Sequence, residues 1–330
     1  PKLEDYNAPV FLRPRRFGKS LLVSTLACYY DRTKAHRFEE LFGGTWIGNH
    51  PTKEHNSYMI IRYDFSKMVM ADTIEGLAQN FNDLNCGPVD VMVEHNRDLF
   101  GDFQFTTRGD ASKMLEEVLN YARSHEFPKV YLLIDEYDNF TNVVLNEQGK
   151  EVYHALTHAS GFYREIFKKF KGMFERIFMT GVSPVTLDDL TSGFNIGWNI
   201  STKHQFNMML GFSETDVREM LQYYKDARQL PGNVDISAMI EEMRPWYDNY
   251  CFAKESLTRD PKMFNCDMVL YYLRQKIDLG YSPKQMIDPN TRTDYSKMKK
   301  LINLDHLDGD RKGVIRRIAE TRGLIVLTDS

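Results

Sequence analysis

Gly18-Lys19-Ser20 brings together three residue types that handle a phosphate chain. Backbone N–H groups that converge on anionic oxygens need a glycine where a side chain would collide, and a following helix adds positive partial charge at its N-terminus. Gly18 meets the first need, Lys19 would carry an ammonium to the β and γ phosphates of a nucleotide, and the Ser20 hydroxyl would hold Mg2+. The three are the latter half of the pattern GxxxxGK[ST], with Arg13 where the first glycine is expected. If the loop demands φ > 0 there, arginine costs about 1–2 kcal/mol relative to glycine, and Pro14 stiffens the loop in partial compensation. Arg16, Phe17, Gly18, Lys19, Ser20 and Leu21 are the expected nucleotide-binding segment, and Arg15 and Arg16 flank it as contacts to nucleotide or to a partner.

Hydrolysis needs a second element, and Val130-Tyr131-Leu132-Leu133-Ile134 ends in Asp135-Glu136. Asp135 at the strand tip would hold the metal directly or through water, and Glu136 would orient and deprotonate the attacking water. Thr180 closes the apolar run 176–179, where a hydroxyl could meet the γ-phosphate or the water, with Ser183 as the fallback. Glu136, Lys19 and Thr180 are therefore the candidate catalytic residues, and Ser20 and Asp135 the candidate metal ligands. Asp64, at the end of Met59-Ile60-Ile61-Arg62-Tyr63, competes as a metal ligand but has no second acid beside it. Arg176 reads either as an arginine finger or as an ordinary helix-end charge. His154 and His158 are four apart, but residue 155 is Ala rather than the Glu of a zinc protease, so a solvated helix face is expected. No GxSxG elbow is present, and nucleophilic catalysis has no candidate.

The elements that must position these groups can be read from periodicity. An apolar strand 8–12 runs into the loop and then a helix 21–30. Strands are expected at 58–63, 130–134 and 176–179, with helices at 111–125 and 161–171; Pro128 stops the former helix. A five-residue apolar run such as 130–134 is how a strand covered on both faces looks. The alternation predicts an α/β fold with helices on both faces of a mainly parallel sheet and ligands beyond the strands' carboxyl ends. After Phe206 the composition turns to helix formers, with Ser213 as an N-cap and Asp216 three residues on. A helix is expected around 268–277, and the apolar run 323–327 could be a strand of a small wing.

These segments carry a resemblance. Arg-Pro-Arg-Arg-Phe-Gly-Lys-Ser at 13–20, Leu-Ile-Asp-Glu-Tyr-Asp at 133–138, Met-Thr-Gly-Val-Ser-Pro at 179–184, Leu-Gly-Phe-Ser-Glu at 210–214 and Trp-Tyr-Asp-Asn-Tyr at 246–250 resemble the bacterial AAA-ATPase-like family. The likeness extends to Met263-Phe264-Asn265-Cys266-Asp267-Met268, and Asn249 and Cys266 stand where that family usually shows Gly and Pro. In such proteins RPRRFGKS is the normal loop, so Arg13 ceases to count against nucleotide binding. The resemblance implies a P-loop NTPase three-layer sandwich over residues 1–210, followed by a helical, winged-helix-like domain over 211–330. It implies ATP and Mg2+ as cofactors, and ATP hydrolysis driving a conformational change between domains or in a partner. The alternative is a nucleotide-gated switch for a protein or nucleic acid with little hydrolysis. Members are often fused to a PD-(D/E)XK nuclease-like domain, but no carboxylate pair followed by ExK occurs in the tail, and no nuclease activity is expected here.

Composition agrees with that class. In 330 residues, 42% hydrophobic and 27% charged side chains describe a globular chain, and 42 Lys+Arg against 46 Asp+Glu give a net charge of -4, without the global basicity of a nucleic-acid binder. Local basic clusters at Lys168, Lys169 and Lys171, and from Lys297 to Arg317, read as a solvated face or as a grip on nucleic-acid phosphates. Cys28, Cys86, Cys251 and Cys266 are widely spaced without CxxC, which fits a reducing cytoplasm. No apolar run approaches the ~18 residues of a membrane span, and no leader opens the chain; it begins at Pro1 rather than Met, so a fragment of a longer protein is expected.

Overall fold

A computed structural model of the chain describes residues 1–157, 161–182, 197–259 and 262–288. Strands β1 (Pro9–Leu12), β2 (Met59–Asp64), β3 (Val130–Asp135), β4 (Arg176–Gly181) and β5 (Trp198–Asn199) form one sheet in the order β2-β3-β4-β1-β5. Each neighbouring pair is parallel. Every residue of β1 and β3 is buried, as an apolar run without alternation requires of a strand covered on both sides. β4 lies between β1 and β3, pairing Met179 with Val10 on one side and with Ile134 on the other. The strand that leads into Gly18-Lys19-Ser20 and the acid-tipped strand are thus separated by one intervening strand.

The sheet is the middle of three layers. Helix α1 (Lys19–Tyr30) packs Val23, Leu26, Tyr29 and Tyr30 against the face that carries Phe11, Leu133 and Phe178. Helices α2 (Ile74–His95), α3 (Ala111–Ser124) and α4 (Phe162–Met173) cover the face that carries Leu12, Ile134 and Met179. In α3 the expected stripe Met114, Leu115, Val118, Leu119 and Ala122 is buried, and Asp110 caps its N-terminus by accepting from Lys113 N at 3.1 Å. Residues 74–95 carry no clear expectation from sequence, because Pro88 sits inside the helix, where it removes a donor and crowds the preceding turn. Burial of Leu77, Phe81, Val89, Met92 and Val93 holds the element together despite that proline.

A third cluster belongs to a helical C-terminal region of α5 (Glu214–Asp226), α6 (Ile236–Tyr247) and α7 (Cys266–Leu279), with β6 (Asp248–Tyr250) antiparallel to β7 (Met263–Phe264). Ser213 and Asp216 form the expected cap at α5: Asp216 N donates to Ser213 Oγ at 3.2 Å, and Ser213 N donates to Asp216 Oδ2 at 2.7 Å. The basic run 297–317 and the wing-like run 323–327 lie outside the described residues. Among the described residues, no helix is long and apolar enough to cross a membrane.

Candidate functional site

Parallel strands place all their carboxyl ends on one edge of the sheet, and the candidate residues leave from that edge. β1 runs into Arg13, β3 ends at Asp135 and β4 at Gly181. Gly181 must be glycine: a Cβ there would lie 2.4 Å from Asp138 Oδ1 and 2.6 Å from Tyr137 Cε1. Asp138 ties the edge together, accepting from Val182 N at 3.1 Å and from Asn142 Nδ2 at 3.0 Å.

Gly18 precedes α1 with φ 88°, so the left-handed region, open to glycine, turns the chain from loop into helix. It offers no side-chain cap, and the first turn of α1 holds no acid, which leaves that helix end suited to an anion. Lys19 is buried, and its ammonium donates to Pro14 O at 3.1 Å. Desolvation lowers its pKa, opposed by the charges of Glu136, Asp135 and Asp138. Lys19 and these three acids, more than a hundred positions apart in sequence, therefore act on one another electrostatically.

Asp135 is buried, and its Oδ1 has no hydrogen-bond partner. Burial pushes its carboxyl up; the Ser20 hydroxyl and the Arg62 and Lys19 charges pull the other way, while Asp64 adds to the rise. Glu136, raised chiefly by burial and held back chiefly by Lys19, stands with φ 53°. A buried carboxylate oxygen without a donor, beside a serine hydroxyl and a second aspartate, is the donor set a hard divalent cation takes.

The other candidates distribute unevenly. Arg13 is not among the residues with positive φ; that conformation falls on Arg16, φ 70°, so the strain of about 1–2 kcal/mol expected at position 13 belongs three residues on. Phe17 is fully buried and can offer only its backbone to a ligand, whereas the Leu21 side chain is 72% exposed. Thr180 is buried in β4, with an Oγ1 that makes no hydrogen bond. Arg176 is no finger for this chain's own site, because it opens β4 at the far edge of the sheet, donates to Glu4 O and Tyr6 O and pairs with Glu54 at 2.5 Å. Lys168 and Lys169 pair with Glu165 at 2.6 Å and Glu116 at 3.7 Å. His154 is exposed, and Ser183 and His158 lie outside the described residues.

Three features escape a reading along the chain. Asp64 pairs in register with Asp135, so the lesser metal candidate stands beside the greater. Burial works against its carboxylate, but the Ser66 hydroxyl and Lys67 outweigh it and hold Asp64 below its ordinary range. Arg62, two residues earlier on the same face, donates to Ser24 Oγ of α1 at 2.8 Å and lies 3.9 Å from Asp135 Oδ2. Alternation in β2 was the available signal for both. A groove of about 520 Å³ also adjoins the loop, with Gly18 and Leu21 on one side and Leu210, Phe212, Cys266 and Leu270 on the other. Its second wall comes from late in the chain, beyond the reach of local spacing.

The model of a family described as predicted AAA-ATPase, AAA-ATPase-like, matches residues 1–191, and the chain belongs to that family. The matched span holds β1 to β4, the Gly18-Lys19-Ser20 segment and the Asp135-Glu136 tip, and the family's description implies nucleotide binding. The chain is also similar to a protein of Azotobacter chroococcum mcd 1 described as "Uncharacterized protein in vnfD 5'region", with 27% identity over 254 residues. That alignment covers 74% of this chain and 42% of the relative, so the chain spans less than half the length of the curated protein it matches.

Proposed function

We propose that this protein binds Mg-ATP at the carboxyl edge of its sheet and hydrolyses it. The convergence of Lys19 with Asp135 and Glu136 carries this reading. Gly18 and the first amides of α1 would cradle the phosphates, and Lys19 would reach the β and γ oxygens. Ser20 and Asp135, with Asp64 alongside, would hold Mg2+, which when bound neutralises charge on the phosphate oxygens. Glu136 would orient the attacking water and accept its proton; a carboxyl raised by burial suits a group that must hold a proton during turnover. Thr180 would add a hydroxyl near the transferred phosphoryl group, and the groove beside Leu21 is apolar enough to take the base. A division at about residue 210 would let hydrolysis move the C-terminal region against the sheet.

Lys19→Ala should abolish Mg-ATP binding measured by calorimetry, whereas Glu136→Gln should bind normally and release phosphate at a rate lower by about two orders of magnitude or more. Wild-type turnover in Glu136→Gln would remove it from its role. A second reading, a nucleotide-gated switch with little hydrolysis acting on a protein or nucleic acid, is favoured by the packing of Phe17 against the C-terminal Tyr250 at 4.7 Å between ring centroids. Stoichiometric retention of nucleotide without sustained phosphate release would select it.

A further inference from the structure

Arg13 opens the phosphate loop and Phe17 lies within it, just before Gly18, and both turn inward, at 1% and 0% exposure. Arg13 Nη1 donates to Leu12 O at 2.8 Å and Ser201 O at 3.0 Å, and Nη2 to Phe206 O at 2.6 Å and Asn207 O at 3.4 Å. Its guanidinium carbon lies 4.1 Å from the Phe11 ring centroid and 3.8 Å from that of Phe252. No carboxylate is among these partners, and burial lowers its pKa to about 9. A cation removed from water without a counter-ion is costly, and here carbonyl dipoles and two aromatic faces replace the lost hydration.

Phe252 belongs to the C-terminal region, yet it reaches both of these residues. Besides covering Arg13, its ring meets Phe17 edge-on at 5.6 Å. Asn207 fixes Phe252 in turn, its Oδ1 accepting from Phe252 N at 2.8 Å and Ala253 N at 3.1 Å. Between the two anchors stands Arg16 with φ 70°, a conformation that persists only where the surroundings over-determine it. Asp267 N, at the start of α7, adds a contact to Arg16 O at 3.4 Å.

We propose that Phe252, acting with Arg13, is a positioning residue through which the C-terminal region sets the shape of the phosphate loop, so that nucleotide binding and the packing of 201–207 and 250–253 are coupled. The proposal rests on the reading that this loop binds Mg-ATP. Coupling of this kind is reciprocal: what the aromatic anchor does for nucleotide affinity, bound nucleotide does for the order of the anchor.

The test uses the full chain. Phe252→Ala should weaken Mg-ATP binding about thirtyfold, the scale of one desolvated cation–aromatic contact, and raise KM more than it lowers kcat. Phe252→Tyr should restore wild-type affinity. In the wild type, Mg-ATP should slow amide exchange at 201–207 and 250–253, and in Phe252→Ala it should not. Wild-type affinity in a folded Phe252→Ala chain would overturn the proposal, as would nucleotide binding that leaves those amides unchanged. If Phe252→Ala does not fold, the wild-type exchange measurement and Phe17→Leu decide in its place. Failure of the wild type to bind Mg-ATP at all would instead overturn the nucleotide reading, and this proposal with it.

Discussion

Asp135 and Glu136 are held where water reaches them poorly, and burial is the largest cause of the upward pKa shift of each. A carboxyl raised in the folded state releases its proton first from the unfolded chain as pH rises. Its full share of stability is therefore present below the ordinary carboxylate range and is lost as pH climbs through the folded value. Glu136→Gln and Asp135→Asn should accordingly raise the urea midpoint at pH 7, and the gain should shrink towards about pH 4, where the unfolded carboxyls also hold their protons. A lower midpoint for both variants at pH 7 would contradict this account. Lys19, Ser20, Asp135 and Glu136 stood out as candidates because the chemistry they suggest is written in neighbouring positions. Arg13 was legible only as an oddity, since its acceptor at Phe206 lies 193 positions away.

At the scale of elements, local signals worked where one physical cause dominated. The unbroken apolar run of β3, the stripe of α3 and the cap of α5 each appear within a residue or two of their expected place. α2 failed that test because its proline speaks against a helix and only packing answers it. β4 extends to Gly181, past the apolar run that marked it, since pairing with Leu12 continues after hydrophobicity ends. The cap gives a direct test. Ser213→Ala removes an acceptor from Asp216 N and should lower stability by about 1 kcal/mol, read as a urea midpoint shift, while Ser213→Asn should stay near wild type. Equal midpoints for Ser213→Ala and wild type would show that the tertiary packing of Val217 and Leu221 makes the cap redundant.

For the molecule as a whole, the nucleotide reading implies a linkage measurable without any turnover. A ligand that binds only the folded chain stabilises it by about 2.7 kcal/mol at a hundred times its dissociation constant. Mg-ATP should therefore raise the melting temperature of the wild type and of Glu136→Gln, and leave Lys19→Ala where it was. A rise of equal size in Lys19→Ala would place the nucleotide elsewhere. The strand order is what makes such a site from distant parts, because inserting β4 between β1 and β3 sets loop and acids on one edge, about two interstrand spacings, or roughly 10 Å, apart.

The amino-acid order alone marked the candidate groups for a phosphate chain and a cation and determined that strands and helices alternate, because backbone periodicity and loop chemistry are local properties. Only the folded arrangement decided that Asp64 stands beside Asp135, that the strain sits at Arg16, and that Arg13 and Phe17 face the C-terminal Phe252. Those outcomes depend on strand register and on side chains meeting across long separations. No spacing along a single chain encodes them.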